Sequence, residues 1–191
     1  MIAADRKEIL RYLGYKGQQL PDEETEESIS RCLEELSTNA EPRSVLRRFP
    51  VERREGKLLI AGILFESCSL EKHLASCREA VLFAATLGIQ PDRMIARAQV
   101  RNLRDALVLQ ACAAAMIEAY CDDIEQQIQQ EAREENLQVK SRFSPGYGDL
   151  NILLQRDLCR VLDTGRRIGV TLTESCMLVP VKSVTAIVGL F

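Results

Sequence analysis

Apolar and polar positions alternate differently in the two halves of the chain. Before residue 91, short apolar runs are separated by breaks that contain glycine or proline, which is typical of short helices and strands. After residue 91, apolar residues recur at three- and four-residue spacing, which indicates a longer helix. Because helices and strands are intermixed without a regular strand–helix–strand period, the sequence predicts an α+β fold and not a doubly wound α/β fold.

Two helices are predicted at the start of the chain. The stretch Asp5 to Leu13 is amphipathic and stops at Gly14. A second helix follows Pro21 with three acidic residues in its first turn, which suits the helix dipole, and the segment Asn39 to Pro42 ends it. Residues 1–40 are therefore expected to form a helical N-terminal extension of a single domain covering 1–191.

Strands are predicted between residues 44 and 87. Ser44 to Val51 and Lys57 to Ile63 are strand-like, with a charged hairpin loop from Glu52 to Gly56 between them. Ser69 is the expected cap of a short helix that runs to Cys77. The continuous apolar run Ala80 to Leu87 is typical of a buried central strand.

The second half begins with a long helix, predicted from about Leu103 to Asn136. It is apolar early and rich in glutamine and glutamate late, so its last turns are expected to project into solvent. A further helix is predicted from Leu150 to about Thr164. Two strands follow, Val170 to Val179 and Ser183 to Phe191, with a break at Pro180.

Composition narrows the possible partners. The net charge is -3, acidic and basic residues are mixed along the chain, and tryptophan is absent, so neither nucleic acid nor an anionic membrane is expected as a partner. The longest apolar stretch, Leu107 to Ile117, is too short to span a bilayer. Because the first residues carry no secretory signal pattern, we expect a cytoplasmic protein.

The seven cysteines do not form a metal-binding pattern. Their number is odd, no two are spaced C-x-x-C, and the only histidine is His73. Buried, reduced thiols are the favoured interpretation, and no metal site is expected. Common enzyme signatures such as the P-loop and G-x-S-x-G are also absent from the sequence.

The segment from Arg142 to Asp149 is the first candidate binding site. Pro145 fixes one backbone angle, whereas Gly146 and Gly148 admit conformations that let a ligand approach the main chain. Asp149 stands where the cap of the next helix is expected, and Arg142 is able to bind a carboxylate with two hydrogen bonds. The alternative is a plain turn with an aspartate cap and a surface arginine.

Glu118 is the second candidate. On the predicted long helix it shares a face with three alanines, so a ligand or partner could approach its carboxylate closely. Those alanines are Ala111, Ala114 and Ala115. The alternative is a solvated helix glutamate.

Glu174 and Lys182 are the third candidates, because they are charges within otherwise apolar strand patterns near a bend. If they are buried, they need partners. The alternative is a hairpin with one polar face.

Together these motifs resemble the activation domain of cobalamin-dependent methionine synthase, and most closely its small stand-alone members. The resemblance rests on RFSPGYGD at 142–149 followed by IGVTLTESCMLVPVKSVTAIVGL at 168–190. It extends back through ALVLQACAAAMIEAYCD at 106–122 and TLG at 86–88, and more weakly to residues 5–17. The family fold is a curved, helmet-like α+β domain with a central antiparallel sheet flanked by helices.

The resemblance implies which residues meet S-adenosylmethionine. Arg142 would bind its carboxylate, and Glu118 would face its cationic end. Ser144, Pro145 and Gly146 would contact it through the backbone, with Tyr147 packed against it. Glu174 and Lys182 would belong to the binding set by shaping the site, or would instead pair inside the sheet. Asp5 is the match in this chain for an acidic residue near the family's N-terminal region that contacts the ligand. In the long multidomain enzymes an aromatic residue near the end of the last strand also contributes, whereas this chain has Ile187-Val188-Gly189.

The implied activity is methyltransferase-type reactivation in methionine biosynthesis. S-adenosylmethionine would methylate cob(II)alamin reductively, and no catalytic base or nucleophile is expected in the chain. The cobalamin would be supplied by a partner methionine synthase or another corrinoid protein, and the electron by a flavodoxin-like or other reductant. The alternatives are an S-adenosylmethionine sensor without turnover, a reactivation module for another corrinoid methyltransferase, and an interaction protein that has lost the ligand.

Overall fold

One antiparallel sheet with helices on both faces organises the chain. The computed structural model describes residues 2–17, 19–54 and 56–191. The helices are α1 (Arg6–Tyr12), α2 (Glu23–Asn39), α3 (Cys68–His73), α4 (Gln90–Arg101), α5 (Leu103–Glu134), α6 (Gln155–Leu162) and α7 (Thr164–Arg167). The strands are β1 (Arg43–Arg54), β2 (Lys57–Ile60), β3 (Ile63–Phe65), β4 (Glu79–Thr86), β5 (Thr171–Leu172), β6 (Leu178–Val179) and β7 (Ser183–Leu190).

The main sheet has the order β3-β2-β1-β4-β7 and is antiparallel throughout, and β5 pairs with β6 in a separate two-stranded hairpin. The predicted α+β class, with a curled central sheet and one long helix, is confirmed.

Strand β4 separates two hydrophobic cores. Its side chains alternate, so that Val81 and Phe83 enter a core formed with α1, α2, α4 and α5, whereas Leu82 and Ala84 enter a second core under α3 and α6. Every residue of β4 after Glu79 is buried. The prediction of a buried central strand is therefore confirmed, and its apolar run is continuous because both of its faces are covered.

The outer edge of β7 is covered by the segment that follows α5. Val139 bridges to Leu190 and Phe143 bridges to Ile187, both antiparallel. This segment satisfies the backbone groups of β7 that would otherwise form an open sheet edge. It also carries the chain directly into the first candidate site.

Several predicted element boundaries in the first half were wrong. Strand β1 continues to Arg54, into the expected hairpin loop, and the short helix ends at His73 and not at Cys77. The expected strand from Lys57 to Ile63 is split into β2 and β3 by a turn in which Ala61 and Gly62 have positive φ values of 54° and 75°. The short helix is capped by Ser67, whose hydroxyl accepts from the Leu70 N–H, and not by Ser69. Glu55 of the expected hairpin loop lies outside the described residues.

The second half also differs from the predictions in detail. The end of α5 is not polar on every side, because Ile128 and Ala132 are buried there at 3% and 2% exposure. The expected helix after Leu150 is a short 3₁₀ turn, Ile152–Leu154, followed by α6 and α7. The expected long strand before Pro180 is reduced to β5 and β6, because residues 173–177 form the turn between them.

No helix in the described ranges is long and apolar enough to cross a membrane.

Gly189 near the end of β7 has no room for a side chain. A Cβ atom there would lie 2.5 Å from both the Cys77 Sγ and the Leu74 Cδ2. We expect Gly189→Ala to lower the free energy of unfolding by about 1–3 kcal/mol, because the second core would be overpacked. Urea unfolding measures this. Gly165→Ala is the matched control, since its Cβ would find its nearest neighbours at 4.0 Å, and equal losses in both variants would contradict the packing argument.

Candidate functional site

A groove opens where α5, the segment 142–147, the start of α6 and the start of β7 meet. Its volume is about 340 Å³, within the range of small-molecule sites. The lining residues are Glu118, Arg142, Phe143, Ser144, Pro145, Tyr147, Gln155, Leu178, Ser183, Val184 and Thr185. Five of the sequence-predicted site residues thus lie on one concave surface, although they come from distant parts of the chain.

The position of Arg142 is set by its neighbour. Phe143 exchanges two backbone hydrogen bonds with Ile187, at 2.8 and 2.9 Å, which fixes the segment on the edge of β7. The ring of Phe143 packs on the second core, with its centroid 5.3 Å from that of His73. Because adjacent side chains of an extended segment point to opposite sides, Arg142 is directed to α5.

On α5 the Arg142 guanidinium meets three carboxylates. It lies 2.8 Å from the Glu118 carboxylate and 2.6 Å from that of Asp122, and it also pairs with Glu125. These three residues lie one and two helical turns apart on one face of the helix. One positive and three negative groups leave this wall of the groove with a net charge of about -2, which suits a cationic ligand.

The environment keeps Arg142 firmly charged. Burial by itself lowers the pKa of Arg142, but the hydrogen bonds that it donates to Glu125, Asp122 and Glu118 more than offset this and raise the pKa. Within the described part of the chain these bonds use only Nη1 and Nη2, so Nε has no protein acceptor. The arginine can therefore accept a further anionic partner, such as a ligand carboxylate.

The turn after Arg142 lets the main chain approach the groove. Gly146 has a φ of 95°, a conformation that favours glycine, and a Cβ there would lie 3.2 Å from Ile152 Cδ1. The Gly146 N–H donates to the Leu150 carbonyl at 2.8 Å. Tyr147 is 66% exposed at the groove rim, so its ring is available to a ligand without displacing core residues.

Asp149 does not cap the helix that follows it, so that prediction was wrong. Its carboxylate instead accepts hydrogen bonds from the Ser67 hydroxyl at 2.5 Å, the Cys68 N–H at 2.8 Å and the Ser69 N–H at 3.0 Å. These groups form the N-terminus of α3, where a carboxylate is favoured. Asn151 takes the expected local role by accepting from the Leu153 N–H.

Gln155 belongs to the groove and was missed from the sequence. It is 7% exposed, donates to the Cys176 carbonyl at 2.7 Å, and accepts from the Thr185 hydroxyl at 3.2 Å. It links the start of α6 to both the β5–β6 hairpin and β7. The sequence does indicate that Gln155 is buried, because it precedes Leu158 by three residues and Leu162 by seven and so lies on the buried face of α6.

Glu174 and Lys182 lie away from the groove surface. Glu174 is exposed in the turn of the β5–β6 hairpin, where its backbone carbonyl accepts from Arg156. Lys182 is 6% exposed, and its Nζ lies 3.5 Å from the Gln110 carbonyl. Burial lowers the pKa of Lys182, while the nearby Asp92 opposes that shift. Their assignment as ligand contacts stays a prediction.

Helix α1 lies beside the alanine face of α5. Ala111 and Ala115 are buried at 3% and 2% exposure, in the core that includes α1. Next to Glu118, a second depression is lined by Asp5, Glu8 and other residues of α1 and α5. The Asp5 carboxylate caps α1 by accepting from the Lys7 N–H at 2.8 Å, so it is held beside the acidic wall.

Most cysteines are buried, as the sequence predicted. Cys32, Cys77, Cys112, Cys121 and Cys176 are buried, Cys159 is half-buried, and Cys68 is exposed. Burial raises the pKa of Cys121 to about 12, so this thiol stays protonated at neutral pH. In the described ranges no cluster of histidine, cysteine and carboxylate side chains is suited to a metal ion.

The chain is an α+β domain with an acidic, arginine-bearing groove of small-molecule size. The family model described as "Vitamin B12 dependent methionine synthase, activation domain" matches residues 71–190, which is more than half of the chain. The chain therefore belongs to the family of methionine synthase activation domains, and it is a component of a methyltransferase system. This confirms the family resemblance seen in the sequence.

A solved structure shares the fold. It is described as a crystal structure of the MetH reactivation domain bound to AdoHcy, and it superposes with a TM-score of 0.69 at 18% sequence identity. The match covers 94% of this chain and 71% of that one. No curated protein matches the sequence.

Proposed function

We propose that this chain binds S-adenosylmethionine in the groove and supports the reductive methylation of a corrinoid carried by a partner protein. The observation that carries the proposal is the Arg142–Glu118 ion pair on the groove wall, 2.8 Å apart. Family membership and the AdoHcy-bound structural neighbour support it.

The ion pair suits the amino acid end of this ligand. Its ammonium and carboxylate form a zwitterion that can insert between Glu118 and Arg142, so that each protein charge keeps an opposite partner. The exchange leaves no buried charge unpaired, because Asp122 and Glu125 continue to neutralise Arg142. The remaining positive sulfonium is favoured by the net negative wall of the groove.

The other lining residues would orient the ligand. The ring of Tyr147 offers an aromatic face to the sulfonium or the adenine, and the main chain around Gly146 offers a close approach. The ligand supplies an activated methyl group, and the corrinoid of the partner is its acceptor. The chain then contributes the position of the methyl group and the exclusion of water, which requires no general base.

The partner would supply the corrinoid, and a flavodoxin-like or other reductant would supply one electron for each methyl transfer. The client is proposed to be a cobalamin-carrying methionine synthase, or otherwise another corrinoid protein.

Glu118→Gln tests the ligand and its orientation together. We expect this variant to bind S-adenosylmethionine about tenfold more weakly in calorimetric titration, because one charge-assisted contact is lost. S-adenosylhomocysteine lacks the sulfonium charge, so the variant is titrated with it as well. A loss of affinity for S-adenosylmethionine alone indicates that Glu118 faces the sulfonium, whereas equal losses for both ligands indicate that it faces the ammonium. Glu131→Gln, an exposed change on the same helix, is the matched control. Equal affinities for Glu118→Gln and wild type would refute the assignment of Glu118.

A reconstituted assay separates the enzyme from the sensor. It would contain the wild-type chain, a cob(II)alamin-carrying protein, S-adenosylmethionine and a chemical reductant. Methylcobalamin formation that depends on all four components supports reactivation. Tight ligand binding without methylcobalamin would favour the sensor.

A further inference from the structure

A cavity separate from the groove and from the depression beside α1 lies between α2, α4 and the start of α5. Its volume is about 380 Å³. Its floor is apolar, since Cys32, Met94 and Leu109 are at most 9% exposed. Arginines stand around it: Arg31 on α2, and Arg97 and Arg101 on α4. An apolar floor with a few convergent charged groups is the usual composition of a small-molecule site.

The stability of α4 explains only one of its three arginines, because Arg101 in the last turn suits the helix dipole. Arg93, Arg97 and Arg101 follow one another at four-residue intervals, and like charges at this spacing destabilise a helix. Within the described ranges none of the three forms a salt bridge. The chain carries a net charge of -3, so an unpaired row of positive side chains is a local exception to its charge balance.

The acidic groups at the cavity do not cancel this charge. Asp105 is already engaged, because it accepts from Arg31 at 2.8 Å and from the Ser28 hydroxyl at 3.0 Å. Glu35 is the remaining carboxylate on the lining, beside two arginines, Arg97 and Arg101, that form no salt bridge within residues 2–17, 19–54 and 56–191. The Arg97 Nε donates to the Arg93 carbonyl at 3.2 Å. The local balance is therefore positive above an apolar floor.

We propose that this cavity binds a small phosphorylated molecule, with the phosphate held by Arg97 and Arg101 and the apolar part over Met94. A phosphate matches the planar donor fork of a guanidinium and can be shared by two arginines one helical turn apart. The cavity lies at the start of α5, whereas the groove lies beside Glu118 in the middle of this helix. Asn102 and Glu118 are 16 residues apart, which corresponds to about 24 Å of helix. It is therefore a separate site, independent of the proposed function.

The test uses inorganic phosphate and phenyl phosphate as probes. The wild-type chain is titrated with each by calorimetry, alongside the double variants Arg97→Gln/Arg101→Gln and Arg166→Gln/Arg167→Gln. The second pair of exposed arginines on α7 is the matched control for the loss of two charges. S-adenosylmethionine is titrated into all three proteins to verify that the folded groove is retained.

We expect phenyl phosphate to bind the wild type and the α7 variant saturably, more tightly than inorganic phosphate, and the α4 variant at least about tenfold more weakly. S-adenosylmethionine binding should be equal in all three proteins, so a failure here is distinct from a failure of the proposed function. The proposal is overturned if neither phosphate binds, or if both double variants lose binding equally. Saturable binding of a poly-glutamate peptide without phosphate binding would also overturn it, in favour of an acidic protein partner.

Discussion

Arg142→Ala is expected to abolish measurable binding of S-adenosylmethionine, with a loss of affinity of about 100-fold or more. The substitution removes the proposed partner of the ligand carboxylate, and charge-assisted bidentate contacts are among the strongest in proteins. It also leaves Glu118, Asp122 and Glu125 facing one another without a countercharge. Calorimetric titration of the variant against the wild type measures the loss.

The same change should lower the free energy of unfolding by roughly 1–3 kcal/mol. Breaking a fully buried ion pair costs about 3–5 kcal/mol, but the Arg142 side chain is 23% exposed and solvent screening reduces the effect. Arg142→Lys separates the two consequences, because it keeps the charge beside Glu125 and loses the planar fork. It should recover most of the stability and little of the affinity.

Arg133→Ala, an exposed position near the end of α5, is the matched control for stability and binding. If the folded Arg142→Ala variant binds S-adenosylmethionine with wild-type affinity, the ligand does not bind at Arg142.

Asp149→Asn is expected to destabilise the contact between α3 and the segment that carries Arg142 and Tyr147. The carboxylate accepts from two backbone N–H groups of α3 and from Ser67, and an asparagine offers only one acceptor oxygen to them. Gly148 packs closely here as well, since a Cβ on it would lie 2.8 Å from the Ser69 Oγ. We expect the melting temperature to fall by several degrees and S-adenosylmethionine to bind more weakly, because α3 holds the segment that carries Arg142 and Tyr147.

The effect of Asp149 should depend on pH. The Ser67 hydroxyl and the Ser69 N–H hold the pKa of Asp149 well below its usual range. An aspartate with a lowered folded-state pKa contributes stability above its unfolded pKa of about 3.9 and loses it as the pH falls towards the folded value. The gap in melting temperature between wild type and Asp149→Asn should therefore be full at pH 6 and shrink below about pH 4.

Circular dichroism melts across this range test the expectation, with Asp163→Asn, an exposed aspartate at a positive φ of 51°, as the control. A gap that is constant down to pH 3 would show that the Asp149 charge plays no part.

The elements predicted most accurately from the sequence are those with a continuous local pattern of apolar residues. The buried strand β4 and the long helix α5 each extend over a continuous apolar pattern, and both were found within a few residues of their expected positions. The split between β2 and β3 was missed because Ala61 adopts a left-handed conformation, which is uncommon for a residue with a side chain. Nothing in the apolar run LLIAGI marks that turn, apart from a single glycine.

Contacts between distant segments are harder to predict. Asp149 looks in the sequence like the cap of the next helix, but its carboxylate accepts from the first N–H groups of α3, a helix about 80 residues earlier in the chain whose N-cap is Ser67. Gln155 enters the groove only because α6 packs beside β7. In contrast, Arg142 and Glu118 were singled out from the sequence itself and given ligand roles through a family resemblance, and the structure brings them within hydrogen-bonding distance.

The two cores on either side of β4 have a consequence for the groove. Glu118 comes from a helix of one core, whereas Gln155 and Leu178 come from elements that pack on the other. A molecule in the groove therefore touches both layers at once and acts as a non-covalent crosslink between them. Each layer would be protected from local opening by the proposed ligand, so the free energy of unfolding of the domain would rise with the ligand concentration.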